Sequence, residues 1–240
     1  MSGKIDMNSL KVLSIILIAF TIFAGITVPM APQPQSIFEF PDIPGLGETA
    51  RIIFFHVPAA WVSVLGFLIS LYFGFKYLRT KEYNYDIKSV SAAGLGMLFC
   101  VLAMVTGSLW AKFAWGSFWN WDPRETSIFI LLLIYGAYFA LRSALGSDEI
   151  RARLSAVYAI LAGLTAPFFI FIMPRVIGGL HPGAEGDSSG SIPIAQLKMP
   201  LNMYIVFFTG LVGFTLLFIW LLNVRIRAVS VEHQLLIKDQ

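Results

Sequence analysis

Trp115-Gly116-Ser117-Phe118-Trp119-Asn120-Trp121-Asp122 stands between two long apolar runs, at 89–110 and 124–142. The flanks decide the fold. A spanning helix needs about 20 apolar residues, and four further runs of that kind lie at 12–29, 52–75, 154–173 and 201–222. The chain is 240 residues long, 57% hydrophobic and only 13% charged, with a mean hydropathy of +0.75. That balance is too apolar for a soluble domain. Residues 1–240 therefore read as one integral-membrane domain, an all-α membrane protein of six transmembrane helices. The first run could pass for a signal peptide. It is long, however, and Pro29-Met30-Ala31-Pro32 follows where small residues would mark a cleavage site, so it reads as a retained span.

Six spans put both termini on one side. With the N-terminus inside, the inner segments carry 12 of the 17 lysines and arginines and the outer segments carry 5. The positive-inside rule then makes both termini cytoplasmic. Three outer segments follow: the proline- and glycine-rich 30–51, the tryptophan-rich segment within 110–123, and 174–200, which holds Gly178-Gly179, His181 and a Gly/Ser-rich stretch at 186–191. The inner loops are short and basic, with room to dock a partner and little room for catalysis. The basic residues form no stripe, which argues against nucleic acid. The small residues Ala103/Gly107 and Gly66/Ser70/Gly74 have a spacing that lets helices approach closely.

Four of the six tryptophans (Trp110, Trp115, Trp119, Trp121) fall within twelve residues, interleaved with Phe113 and Phe118. Such an aromatic surface at a membrane face suits a large planar apolar ligand with a polar edge. Two of the three histidines, His56 and His181, lie on the same outer side; the third, His233, is in the cytoplasmic tail and reads as solvated. Neutral imidazole is a common axial ligand of haem iron. His56 and His181 on opposite faces of one haem compete, on these residues alone, with interfacial histidines beside an aromatic belt. Asp122-Pro123-Arg124-Glu125 reads as a helix start: Asp122 as N-cap, Pro123 in the first turn, Glu125 closing a capping box. Arg124 opposes the helix dipole there and calls for an anion, either a local carboxylate or a haem propionate. Arg51, one turn before His56, invites the same pair of readings. The single Cys100 reads as a core residue, and no Cys-x-x-Cys or Cys-x-x-Cys-His occurs.

At these residues the chain resembles the haem-handling, tryptophan-rich membrane proteins of cytochrome c biogenesis, whose signature is Trp-Gly-x-x-Trp-x-Trp-Asp flanked by outer histidines. Residues 115–122 fit every fixed position. Length and six spans resemble most the cytochrome c maturation protein C (haem exporter protein C) family, as does Phe55-His56-Val57-Pro58-Ala59-Ala60-Trp61. Asp122-Pro123-Arg124-Glu125 looks more like the longer membrane subunits of cytochrome c synthetases, but their additional spans and histidines are absent from this sequence. The resemblance implies a haem chaperone, not an enzyme, in the bacterial inner (plasma) membrane. It implies haem b held by His56 and His181 as axial ligands, with Trp115, Gly116, Trp119, Trp121 and Asp122 as the platform and Arg51 and Arg124 at the propionates. It also implies delivery to a periplasmic haem chaperone, cytochrome c maturation protein E. The implied companions are the ABC transporter subunits (maturation proteins A and B) and the small single-span maturation protein D.

Two axial imidazoles would leave no open coordination position, and release would require one of them to leave. The glycine-rich 174–200 segment makes His181 the expected mover. The rival readings are a cytochrome c synthetase subunit, a b-type redox subunit, a permease and a scaffold. The spans carry essentially no charge away from their ends, so no polar path across the bilayer is evident.

Overall fold

The computed structural model describes residues 6–43, 45–181 and 199–238. Six of its helices are long and apolar enough to cross a membrane. They are α1 (Met7–Thr27), α2 (Ile53–Thr80, entered through a 3-10 turn at Gly47–Ile52), α3 (Tyr83–Trp115), α4 (Pro123–Ala144), α5 (Asp148–Pro167) and α7 (Leu201–Lys238). Between the last two, a π-helical turn at Phe168–Ile172 and the short α6 (Met173–Val176) carry the chain toward His181. Pro167 has no N–H to offer the ladder, and such a break is a common cause of π-type turns and kinks. The chain is thus a six-span, all-α membrane protein. Among the described residues, its one departure is a parallel pairing of two-residue strands, β1 (Met30–Ala31) with β2 (Phe40–Pro41), in the first outer segment.

The helices exceed the apolar runs read from the sequence, because a helix continues into the interfacial region until something stops it. α3 starts at Tyr83 rather than near 89 and continues through Trp115, so Trp110 and Trp115 sit on its last turns rather than in a loop. It stops at Gly116, whose φ of +83 is open to glycine at no steric cost, with the Gly116 amide closing on Lys112 O at 3.1 Å. Only residues 116–122 remain non-helical.

α2 is the central helix, packed against α3, α5 and α7; α4 lies on α3 and α5, and α1 pairs with α7. The small residues do what their spacing predicts along α2. A Cβ on Gly66 would come within 2.8 Å of the Gly96 Cα, and one on Gly74 within 3.1 Å of Ala156 O. Between them the Ser70 and Ser89 hydroxyls meet at 3.1 Å. One core cluster draws on α2, α3, α4 and α5 around Phe67 of α2 and Tyr135 of α4, whose rings stack at 3.6 Å. At the cytoplasmic end, Arg142 of α4 grips the fully buried Asp86 of α3 with two parallel bonds of 2.8 and 2.6 Å. His233 is not simply solvated: its ring stacks on Tyr83 at 4.1 Å.

Candidate functional site

His56 sits on the first turns of α2. Two residues on, Pro58 occupies the helix interior, so the Phe54 carbonyl loses its usual intrahelical donor just below the turn that bears His56. Across from it, α3 presents Thr106 and Gly107. The His56 Nδ1 lies 3.0 Å from the Thr106 hydroxyl. With its own proton on the Leu102 carbonyl at 2.7 Å, that hydroxyl accepts from Nδ1–H, the His56 tautomer that leaves the Nε2 lone pair free. Gly107 supplies the space: a Cβ there would stand 3.0 Å from His56 Cε1. The sequence spacing assigns Gly107 to helix packing; in the structure it is the wall against which the imidazole lies.

His181 arrives from the opposite side, at the end of the described part of the third outer segment; its Gly/Ser-rich stretch at 186–191 lies outside the described residues. Its Nδ1 donates to Asp122 Oδ1 at 2.7 Å, again leaving Nε2 free. The same carboxylate caps α4 through the Arg124 amide at 2.8 Å and takes the Leu180 amide on Oδ2 at 2.6 Å. Asp122 is only 3% exposed. Burial pushes its pKa up, but the bonds from His181 and from the two amides outweigh that and hold the carboxyl at about 2. Close approach of the segment depends on Gly179, where a Cβ would meet Asp122 Oδ2 at 2.5 Å. Two indoles complete the setting. Trp115 meets the His181 ring edge-on at 4.9 Å, and Trp110 tilts against it at 5.9 Å, itself fixed by an Nε1 bond to Thr49 O at 3.0 Å.

The two imidazoles line one small cavity of about 40 Å³, shared with Trp119, Arg124 and Glu125. Arg124 Nε and Glu125 Oε1 are buried there without hydrogen-bond partners among the described residues. Buried polar atoms of this kind are rare and costly unless a ligand or water completes them. Trp119 is braced edge-on by Phe129 at 5.8 Å and Trp121 at 5.6 Å.

Several expectations change here. Asp122 is not a flat platform residue but the hub that fixes His181. Gly116 serves as the helix stop and has open space around it. Trp121 does not line the cavity; it is 74% exposed, on a φ of +57 that bulky residues rarely adopt. Glu125 does not close a capping box: its Oε2 accepts from the Asn120 amide at 2.8 Å, reaching back beyond the cap. Arg51 also lies outside the cavity lining. It pairs with Glu48 and donates to Gly25 O at 2.9 Å, which ties the entry of α2 to the end of α1. Thr106, Gly107 and Gly179 were missed, since nothing in the sequence links them to a histidine 50 residues away or to a carboxylate 57 residues away.

Six helices able to span a membrane, with two histidines lining one small cavity at one end of the bundle, define the class of polytopic all-α membrane proteins. The chain belongs to the Heme exporter protein C family, whose model matches residues 6–238. It is similar to Heme exporter protein C of Paracoccus denitrificans, 33% identical over 182 residues, covering 75% of this chain and 73% of that one. The corresponding figures are 30% over 191 residues for the Rhodobacter capsulatus protein (79% and 76%) and 29% over 184 for that of Escherichia coli K12 (75% and 70%). The family handles haem for cytochrome c maturation as part of a multi-component export system. This chain is a multi-pass protein of the bacterial inner membrane.

Proposed function

We propose that the protein holds haem b at the outer face between His56 and His181 and passes it to a periplasmic haem chaperone, cytochrome c maturation protein E. Maturation proteins A, B and D would be its companions in the membrane. The observation that carries this reading is the matched state of the two imidazoles. With His56 in the tautomer that donates from Nδ1, each spends Nδ1–H on a fixed oxygen and keeps Nε2 free, the arrangement that orients metal-binding histidines. Among the described residues no three or more His, Cys, Asp or Glu side chains are placed to hold a metal ion by themselves. Two imidazoles suit a metal that brings its own equatorial ligands, as haem does.

Trp115 and Trp119 supply aromatic surface beside the two ligands. Arg124, buried with an unused Nε, is the cation placed to meet a propionate; Arg51 is committed elsewhere, and its role is to fix the entry of α2. The cavity is far smaller than the roughly 300 Å³ at which small-molecule sites begin, so loading must part the two rings. Trp121, Phe118 and Phe113 form an exposed aromatic rim on which an acceptor protein can dock.

The test is the visible spectrum of the purified protein, oxidised and reduced, beside His56→Ala and His181→Ala. Low-spin six-coordinate haem in the wild type, lost in each variant, is the expected result. A wild type that stays colourless when haem is supplied would refute the reading.

A further inference from the structure

The two ligands are not held alike. His181 donates to a carboxylate that also accepts the Arg124 and Leu180 amides, and its ring packs against both Trp110 and Trp115. His56 donates to a neutral hydroxyl and rests on the bare backbone of Gly107, on a helix turn whose ladder Pro58 interrupts. A carboxylate acceptor makes an imidazole a stronger donor to metal than a hydroxyl does.

We infer that His181 is the permanent ligand and His56 the exchanging one, so that loading and release take place on the His56 side, with Thr106 and Asp122 as the positioning residues that set this polarity. The inference rests on the proposed bis-histidine site. It reverses the expectation from glycine content alone, which made His181 the mover. On release the His56 Nε2 withdraws with its lone pair and no electron is transferred. The vacated position is the one an incoming ligand takes, while Asp122 and His181 keep hold from the other side.

The experiment uses the full chain, loaded with haem in detergent, reduced, and exposed to carbon monoxide, which replaces the weaker axial ligand. After photolysis, resonance Raman reads the iron–histidine stretch of the ligand that stayed. The stretch is expected to move to lower frequency in Asp122→Asn and to stay in place in Thr106→Val. Haem affinity is expected to fall about 10–100-fold in Asp122→Asn and less than about tenfold in Thr106→Val. A shift in Thr106→Val with none in Asp122→Asn would overturn the inference.

If Asp122→Asn does not fold, the carbon monoxide adducts of His56→Ala and His181→Ala decide. The His56→Ala adduct should match the wild type, and a match by His181→Ala instead would overturn the inference. A wild type lacking a six-coordinate spectrum before carbon monoxide is added would mark failure of the underlying site, a result distinct from failure of the polarity.

Discussion

Gly179→Ala tests the geometry of the His181 side without touching a ligand or its acceptor. The new Cβ would stand 2.5 Å from Asp122 Oδ2 and 2.9 Å from Pro123 Cδ. Ordinary van der Waals contact begins near 3.4 Å, so the segment must retreat by about 0.9 Å. Pro123 opens α4 and cannot yield, so the loss falls on the 2.6 Å bond from the Leu180 amide and then on the 2.7 Å bond from His181. A hydrogen bond to a charged acceptor is worth about 1.5–3 kcal/mol. Losing one of the two would weaken haem binding by roughly 10–150-fold at about 1.4 kcal/mol per decade. The assay is a haem titration followed by absorbance, with thermal unfolding of the apoprotein alongside. The unfolding midpoint should barely move, because the segment lies outside the helix cores. A Gly179→Ala protein with wild-type affinity and spectrum would refute the argument that this glycine admits the loop to the carboxylate.

On the other side, Gly107→Ala should crowd the His56 ring from 3.0 Å and weaken its ligation, read as a mixed-spin spectrum; an unchanged spectrum would mean the ring has room to move. Asp86→Asn should cost about 3–5 kcal/mol by leaving Arg142 without its buried counter-charge, seen as a lower unfolding midpoint with an unaltered haem spectrum in what survives. The Asp122 carboxyl is held below its ordinary value, so its contribution is complete above about pH 4 and is lost as pH falls through about 2. Tryptophan fluorescence should report release of His181 from Trp115 in that window, and the change should be absent in Asp122→Asn. Trp121→Gly should relieve the left-handed backbone, worth about 1 kcal/mol, while reducing haem transfer to an acceptor; a loss of stability would mean that the exposed indole packs more than its edge contact with Trp119 indicates.

The six spans were legible because each apolar run is long enough to have one physical destination. Their ends were not, because a helix stops where capping stops it. Gly116 ended α3 after the second of the clustered tryptophans, and no polarity change announced it. Asp122 and Pro123 were legible as a helix start, since capping is a local matter of a few residues. The second duty of Asp122, toward His181, is set by tertiary approach and leaves no trace in spacing. The same holds for Thr106, whose hydroxyl is already satisfied within its own helix and whose His56 partner lies on another. The Asp86–Arg142 pair escaped notice because each charge sits near a span end, where charge is expected.

α7 is about 57 Å long at 1.5 Å per residue, well beyond the roughly 30 Å of a bilayer core, and it contains no proline. Its Gly210 lies against the Phe54 carbonyl, next to the turn that carries His56, while His233 near its other end is stacked on Tyr83 beyond the opposite face. One stiff rod thus spans the membrane with a contact at each end. Axial thrust or torsion applied in the cytoplasm has no joint along the way in which to dissipate.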